Sequence, residues 1–315
     1  MRQARNPNNG NLFALHDFIA EGYPEVRPYH STKLGALFEG DCLTVLPTLK
    51  SESVDTVFAD PPFNLGKEYG NKTTDRIPED QYIPWCEQWI NECIRILKPG
   101  GALFLYNLPK WNVLLGNFLA EAGMEFQHWI AIEISPGLPP PNGLYPSHYS
   151  LLYYTKGKPK TFRRIRTPIL TCRHCGKEIK DYGGHRGKMN PNGINLKDVW
   201  SDIPPVRHRK YKSENRKANA LSTKLLDRVI EISTCKDDVV LDPFGGSGTT
   251  YVVCEKKGRK WIGTEIQSCD VIVERLNSKE IHQHNNDDFV DVDFVDVIQE
   301  NHPPANLSLD LPDLT

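Results

Sequence analysis

Asp60, Pro61, Pro62 and Phe63 form a run whose residue types can hold an amino group beside a flat ring. The Asp60 carboxylate can accept a hydrogen bond from an amine, and Pro61 has no N–H, so the backbone there offers acceptors only. Pro62 stiffens the turn, and the ring of Phe63 can stack on a flat heterocycle. The run indicates a pocket for the exocyclic amine of a nucleobase. An ordinary strand followed by a Pro-Pro turn explains the same residues equally well.

A second run, residues 242–249, has the composition of a cofactor loop. It follows a short apolar strand, leads into a predicted helix, and consists of Asp242, Pro243, Phe244, Gly245, Gly246, Ser247, Gly248 and Thr249. It lacks the Gly-Lys-Ser/Thr ending of a phosphate-binding P-loop and the third glycine of a dinucleotide fingerprint. An acid, Glu265, closes the next strand about 20 residues on, where Rossmann-like folds bind a ribose diol. The pattern indicates a cofactor with a ribose and no pyrophosphate.

Together, Asp60-Pro61-Pro62-Phe63 and Phe244-Gly245-Gly246-Ser247-Gly248 resemble the motifs of the S-adenosylmethionine-dependent amino-methyltransferases of DNA. The first motif precedes the second by about 180 residues, an order that resembles the circularly permuted β class of that family. The resemblance covers about residues 34–280. Within this range we predict a helix over 42–49 and another over 80–97 that stops in a turn at 98–101, and we expect the two motifs to lie at the carboxyl ends of neighbouring central strands. It implies an α/β fold with a Rossmann-like sheet, mostly parallel with an antiparallel end, and S-adenosylmethionine as cofactor.

The resemblance also implies roles for particular residues. Asp60 and the Pro61 carbonyl would accept the two amino hydrogens of a flipped base, Pro62 would shape the turn, and Phe63 would stack on the base. Asp41, the acid that ends the predicted strand at 34–41, corresponds to a contact with the cofactor's adenine, and it can also cap the following helix. The full set of implied cofactor contacts is Asp41, Asp60, Asp242, Phe244, Gly245, Gly246, Ser247, Gly248, Thr249 and Glu265.

In the resembling family an initial Asp usually accompanies adenine N6 and an initial Ser cytosine N4, so we predict a site-specific adenine methyltransferase. Cytosine N4 is the alternative, because both bases present an amine beside a ring nitrogen. A catalytically silent DNA-binding protein on the same scaffold and, more remotely, a nicotinamide oxidoreductase are further alternatives.

Charge is distributed unevenly along a chain whose net charge is only −2. Residues 156–217 carry 18 Lys and Arg against 5 Asp and Glu, whereas residues 282–315 carry eight acids and no Lys or Arg. The basic block can track a phosphate backbone. It also contains side chains that could reach base edges, namely Tyr182, Asn190, Asn192, Asn195 and Trp200. The block corresponds to the target-recognition region of the resembling family, and we predict double-stranded DNA as partner.

Cys172 and Cys175 have the Cys-x-x-Cys-Gly spacing of a zinc knuckle. A tetrahedral site needs two more ligands, and His185 and His208 are the nearest candidates. The absence of a second such pair leaves two free thiols as the alternative to structural zinc.

The chain divides into five predicted segments: a flexible arm at 1–30, a catalytic half at 31–156, the target-recognition insert at 157–217, a cofactor half at 218–281, and an acidic disordered tail at 282–315. Scattered cysteines, no apolar leader and no membrane-length apolar run predict a cytoplasmic enzyme without a membrane partner, encoded by a bacterium, an archaeon or a phage. The resemblance allows a homodimer and a cognate restriction nuclease.

Overall fold

The computed structural model describes residues 13–66, 68–69, 73–74, 77–134, 141–169, 171–172, 174–175, 177, 186–188, 190, 193–204, 220–278 and 296–297. The strands in these ranges are β1 His30–Ser31, β2 Gly35–Glu39, β3 Val54–Ala59, β4 Glu68–Tyr69, β5 Thr73–Thr74, β6 Leu97–Asn107, β7 Glu125–Glu133, β8 His148–Thr155, β9 Arg163–Arg164, β10 Arg166–Thr167, β11 Ile194–Asn195, β12 Val199–Trp200, β13 Val239–Asp242, β14 Lys260–Glu265 and β15 Asp296–Val297. The α-helices are α1 Cys42–Val45, α2 Glu79–Ile96, α3 Pro109–Glu121, α4 Thr223–Ser233, α5 Thr249–Lys257 and α6 Asp270–Asn277. Short 3-10 helices cover Leu15–Asp17, Leu46–Thr48 and Arg186–Lys188.

Nine strands form one sheet in the order β1-β2-β14-β13-β3-β6-β8-β7-β12. The five strands from β2 to β6 in this order are mutually parallel. β8 runs antiparallel to both β6 and β7, and β1 runs antiparallel to β2. The predicted α/β fold, with a mostly parallel sheet and an antiparallel end, is confirmed.

Helices cover both faces of this sheet. Side chains alternate between the two faces of a strand, so successive strand residues enter different cores. One core contains Val57 and Leu103 with residues of α2 and α3, and the other contains Phe58 and Phe104 with residues of α4 and α5. The central strands are therefore apolar along most of their length, as expected for parallel strands buried on both faces.

Two predicted elements differ from those observed. The helix expected over 42–49 divides into α1 and a 3-10 turn, because Pro47 has no N–H with which to continue the α-helical ladder. The turn expected at residues 98–101 lies within β6, where Leu97 pairs with Val54 and the register shifts before Thr56. Gly100 accommodates this irregularity with a φ of 76°. Both differences arise outside the site-forming ends of the strands.

The basic block contributes directly to the sheet. β12 pairs in parallel with β7, and Trp200 is only 1% exposed. Its indole N–H donates to the Lys197 carbonyl at 2.7 Å, and the Arg228 guanidinium lies over its ring. The prediction that Trp200 reaches base edges is wrong, because the ring is part of the core. Asn195 is exposed and Asn190 half-buried, whereas Tyr182 and Asn192 lie outside the described residues.

Parts of both terminal segments contact the main body. Phe13 is buried and stacks on Phe18, and Ile19 bridges Leu49. At the other end, β15 pairs antiparallel with β9, which brings two residues of the acidic segment beside Arg163 and Arg164. None of the described helices combines the length and apolar character needed to cross a membrane.

Candidate active site

The two motifs meet at one edge of the sheet. β3 and β13 are parallel neighbours with Leu241 opposite Val57, so Asp60, just beyond β3, lies near Asp242 at the end of β13. The crevice at the carboxyl ends of such strands is where open α/β sheets bind ligands. A cavity there is lined by Asp60, Leu221, Asp242, Phe244, Gly245, Gly246, Ser247, Thr249 and Thr250.

The glycines of the loop serve different purposes. A Cβ on Gly245 would lie 2.5 Å from the Tyr251 hydroxyl, and one on Gly248 would lie 2.8 Å from Ile272. Neighbouring side chains therefore leave no room for a larger residue at either position. Gly246 has a φ of 56°, and a Cβ there would meet nothing nearer than the Phe244 carbonyl at 3.7 Å. Gly246 is therefore required by its left-handed backbone and lies on the open side of the loop.

Asp242 holds the loop from beneath. Its Oδ1 accepts from the Phe244 N–H at 2.9 Å, and its Oδ2 accepts from the Thr250 hydroxyl. Burial raises the pKa of Asp242 to about 7, against the lowering effect of these two hydrogen bonds. Both carboxylate oxygens are thus engaged in shaping the turn, and a direct contact between Asp242 and a cofactor stays a prediction.

Glu265 connects the end of β14 to the same loop. Its Oε2 accepts from the Gly246 N–H at 2.6 Å, and its Oε1 accepts from the Gln267 N–H at 3.0 Å. The neighbouring strand β2 brings Asp41 to this edge, where the Gly40 N–H donates to the Glu265 carbonyl at 2.9 Å. Asp41 caps α1 through the Leu43 N–H at 2.9 Å, as the helix-cap interpretation predicts. Two acids therefore lie at adjacent strand ends, and Glu265 contacts the glycine loop directly.

Arg275 is a loop-bracing residue that the sequence did not reveal. It is only 7% exposed, and its Nη1 donates to the Ser247 carbonyl at 3.1 Å and to the Thr249 hydroxyl at 2.9 Å. α6 thereby supports the loop in addition to the contact from Glu265. No short motif marks such an arginine, because the contact spans 26 residues and depends on how α6 packs.

Aromatic rings surround Phe63 beyond Asp60. The Phe63 ring centroid lies 5.8 Å from that of Tyr106 and 5.4 Å from that of Tyr149. Burial and the nearby Asp60 charge raise the pKa of Tyr106 and of Tyr149, so both hydroxyls stay protonated at neutral pH. Tyr106 and Tyr149 were missed by sequence reasoning, since they come from β6 and β8, far from either motif. The arrangement provides an aromatic wall beside a carboxylate.

Phe244 instead faces the helical layer. Its ring packs edge-on against Trp89 at 5.0 Å and tilted against Trp85 at 5.9 Å. The start of the glycine loop is therefore anchored to α2, and Phe244 remains half-buried at the cavity edge.

The two cysteines of the predicted knuckle differ in exposure, since Cys172 is half-buried and Cys175 is exposed. The backbone N–H groups of Cys175 and then of His174, followed by the Cys175 thiol, lower the pKa of Cys172. The described residues contain no group of three or more His, Cys, Asp or Glu that could hold a metal, and His185 lies outside them. Structural zinc therefore stays a prediction.

Several cations of the basic block are already paired. Lys160 contacts Asp55 at 3.1 Å and Asp238 at 3.6 Å, and Arg163 contacts Glu231 at 2.6 Å. These side chains join the block to the catalytic body, so the sequence count overstates the charge offered to a phosphate backbone.

The comparison with known proteins agrees with this geometry. A family model for DNA methylases, the N6/N4 methyltransferases, matches residues 54–274, which contain both motifs. The chain belongs to this family. Family membership accounts for an acid-Pro-Pro-aromatic run and a glycine loop meeting at one sheet edge.

Individual relatives and a solved structure show the extent of the similarity. The chain is 55% identical to Type II methyltransferase M.BamHI of Bacillus amyloliquefaciens, over 86% of this chain and 63% of that protein. It therefore spans less than two thirds of M.BamHI. It is 31% identical to DNA adenine methyltransferase YhdJ of Escherichia coli K12, over 74% of this chain and 78% of that protein. PvuII DNA methyltransferase (cytosine-N4-specific) has a similar fold, with a TM-score of 0.56, 20% identity and coverage of 83% of this chain and 91% of that chain.

Proposed function

We propose that this protein transfers a methyl group from S-adenosylmethionine to the exocyclic amine of a base in double-stranded DNA. The observation that carries the proposal is the meeting of Asp60 with the glycine loop in one cavity, beside the aromatic wall of Phe63, Tyr106 and Tyr149. A silent DNA-binding scaffold would not need an acid at this point, and a dinucleotide enzyme would need a third glycine.

The cofactor fits the residues at this edge of the sheet. Gly246 presents an unobstructed backbone, and Glu265 supplies the strand-end carboxylate suited to a ribose diol. Asp41, one strand further out, is the proposed contact for the adenine ring. When bound, S-adenosylmethionine supplies an electrophilic methyl on a positive sulfonium. The remaining proposed contacts are Asp60, Asp242, Phe244, Gly245, Ser247, Gly248 and Thr249.

The chain's own residues would prepare the amine. A target base flipped from the duplex would stack on Phe63, at a cost of a few kcal/mol for leaving the helix. Asp60 and the Pro61 carbonyl would accept the two amino hydrogens and so direct the nitrogen lone pair toward the cofactor side of the cavity. Holding the methyl donor and the accepting amine in line would supply much of the rate, and no covalent enzyme intermediate is needed. As the nitrogen gains the methyl group it would lose one proton, to Asp60 or to water, with S-adenosylhomocysteine as the second product.

Adenine N6 is the proposed target, because Asp60 opens the motif and the relative YhdJ is named as an adenine enzyme. Cytosine N4 is the second candidate, since the PvuII enzyme of similar fold is cytosine-N4-specific and cytosine presents the same type of amine. DNA from cells that express the protein is digested to nucleosides and analysed by mass spectrometry. N6-methyladenine supports the first target, and N4-methylcytosine supports the second and excludes the first.

Asp60→Ala tests the reaction itself. We expect methyl transfer to fall by about 100-fold or more, because the amine loses its charged acceptor, while DNA binding persists. Asp80→Ala, which changes an exposed acid at the start of α2, is the matched control and should retain activity. An active Asp60→Ala enzyme would refute the assignment.

We also propose partners and a structural metal for testing. The permuted β-class order, a homodimer and a cognate nuclease follow from the resemblance, with M.BamHI as a Type II relative. For the knuckle at Cys172 and Cys175, metal analysis of the purified protein decides between zinc and free thiols. One zinc per chain that is lost in Cys172→Ser supports the site, and its absence from wild-type protein excludes it.

A further inference from the structure

Two buried side chains from different helices hold the backbone directly after the acceptor residues of the catalytic run. The Tyr82 hydroxyl, on α2, donates to the Pro62 carbonyl at 2.7 Å. The Trp111 indole N–H, on α3, donates to the Phe63 carbonyl at 2.9 Å. Both residues are at most 5% exposed, and their rings pack on each other with centroids 4.7 Å apart. Consecutive carbonyls are therefore held by one rigid aromatic pair.

A chain of hydrogen bonds sets the direction in which the Tyr82 hydroxyl donates. The Leu108 N–H donates to Asn107 Oδ1 at 2.7 Å, so the amide of Asn107 turns its Nδ2 toward Tyr82. That Nδ2 donates to the Tyr82 oxygen at 3.0 Å. Because the oxygen already accepts there, the hydroxyl hydrogen is left to the Pro62 carbonyl. Asn107 is completely buried, which protects this relay from water.

The next residue is held as well. Asn64 adopts a left-handed φ of 55°, which Asn tolerates better than most residues. Its Nδ2 donates to the Ile77 carbonyl and its Oδ1 accepts from the Ile77 N–H, both at 2.8 Å. Asn64 thus ties the end of the run to the residue that leads into α2. Residues 62, 63 and 64 are all fixed by side-chain bonds to α2, α3 or their approach.

We propose that Tyr82, oriented by Asn107, and Trp111 are positioning residues for methyl transfer. They occupy the carbonyls of Pro62 and Phe63, so that the Pro61 carbonyl and the Asp60 carboxylate are the acceptors presented to the amine. Among the described residues, none donates a hydrogen bond to the Pro61 carbonyl. This inference rests on the proposed function, and it names residues that touch neither base nor cofactor.

Tyr82→Phe removes one hydroxyl and keeps the ring that packs on Trp111. We expect kcat for methyl transfer to fall by about 10- to 100-fold, because a small displacement of the acceptors disturbs the in-line geometry. The dissociation constants for S-adenosylhomocysteine and for duplex DNA should change by less than about twofold, since the glycine loop and the basic block are untouched. Trp111→Phe, which loses the indole N–H, should likewise lower kcat while leaving the two dissociation constants nearly unchanged.

Tyr154→Phe is the matched control. Its hydroxyl is also buried and donates to a backbone carbonyl, that of Gly116, at 3.0 Å, further along α3. It should lower the melting temperature about as much as Tyr82→Phe does and leave kcat unchanged. Equal kcat in Tyr82→Phe and wild type would overturn the positioning role while leaving the proposed function intact.

A second measurement tests, without relying on activity, whether the hydrogen bonds from Tyr82 and Trp111 hold the backbone after Pro61. Hydrogen exchange is followed in the peptide that contains the amides of residues 63–66. Faster exchange there in Tyr82→Phe, but not in Tyr154→Phe, is expected if Tyr82 fixes this backbone. Unchanged exchange in Tyr82→Phe relative to wild type would show that Tyr82 does not fix this backbone. A wild-type protein that transfers no methyl group would refute the proposed function. The exchange result would still show whether Tyr82 fixes the backbone of residues 63–66.

Discussion

At the scale of single residues, the acids of the site act through hydrogen bonds to backbone. Asp242 is buried at the end of β13, and Glu265 reaches back from β14 to the Gly246 N–H. Their positions and partners differ enough to give separate experimental signatures. Asp242 shapes the loop from the end of its own strand, whereas Glu265 contacts the loop from the neighbouring strand through the Gly246 N–H.

The pH dependence of stability reports on Asp242. Its pKa is raised from the ordinary value to about 7, so the folded state holds a proton that the unfolded state releases above about pH 4. Its contribution to stability is full below about pH 4 and is lost as the pH rises toward 7, at up to about 1.4 kcal/mol per pH unit. Asp242→Asn cannot titrate. In urea unfolding, the stability of wild type relative to Asp242→Asn should decline from about pH 4 to about pH 7 and then level off. A constant difference would contradict the raised pKa.

Glu265→Gln addresses the proposed ribose contact. We expect the affinity for S-adenosylhomocysteine, measured by calorimetry, to fall about 10-fold or more, because hydrogen bonds to a charged acceptor contribute about 1.5–3 kcal/mol. Glu255→Gln is the control, since Glu255 also accepts from a neighbouring group, the Trp261 indole N–H at 2.8 Å, away from the loop. Unchanged affinity in Glu265→Gln would exclude the ribose role.

At the scale of elements, α6 braces the glycine loop through Arg275. Arg275→Lys keeps the charge but removes the guanidinium, whose Nη1 donates to both the Ser247 carbonyl and the Thr249 hydroxyl. We expect the free energy of unfolding to drop by about 1–3 kcal/mol and cofactor affinity to fall about 10-fold.

Arg95→Lys is the control variant. Arg95 also donates to two acceptors, the backbone carbonyls of Leu46 and Leu49, and neither belongs to the loop. The Arg95→Lys variant should lose stability but keep its cofactor affinity. If Arg95→Lys lowers cofactor affinity as much as Arg275→Lys does, α6 has no special role in supporting the loop.

The elements also show where sequence patterns succeed. α2 was expected at 80–97 and runs from Glu79 to Ile96, because its apolar residues recur at three- and four-residue steps. The strand ends carrying Asp60 and Asp242 were expected to be neighbours, and β3 and β13 pair directly. Prediction failed for Trp200, whose position next to charged residues in the sequence concealed its burial beside β7. Local composition does not reveal which strand edge a segment joins.

At the scale of the whole molecule, the asymmetry of charge should govern DNA affinity. Arg207, Arg209 and Lys210 belong to the basic block and lie outside the described residues. Replacing all three with Gln should weaken binding to any duplex. The slope of log affinity against log salt should become shallower by about 0.9 for each phosphate that the variant no longer neutralises. Fluorescence anisotropy across a salt series measures this slope.

Lys110→Gln is the control for that series. Lys110 is exposed on α3, pairs with Glu79 at 3.2 Å, and lies outside the basic block. Its replacement should leave the slope unchanged. An equal slope in the triple variant and wild type would show that these three cations do not bind phosphates.

The sequence alone determined the family motifs, the α/β class and the edge of the sheet where the site lies. These features are local, since they depend on strand-ending acids, on glycines and on periodic apolar residues that each segment carries by itself. The tertiary structure decided which side chains support the motifs. Tyr82, Asn107, Trp111 and Arg275 reach the two loops from helices and strands distant in sequence, and their roles arise only from packing. The physical reason is that a buried backbone carbonyl or N–H takes its partner from whatever element folding brings next to it.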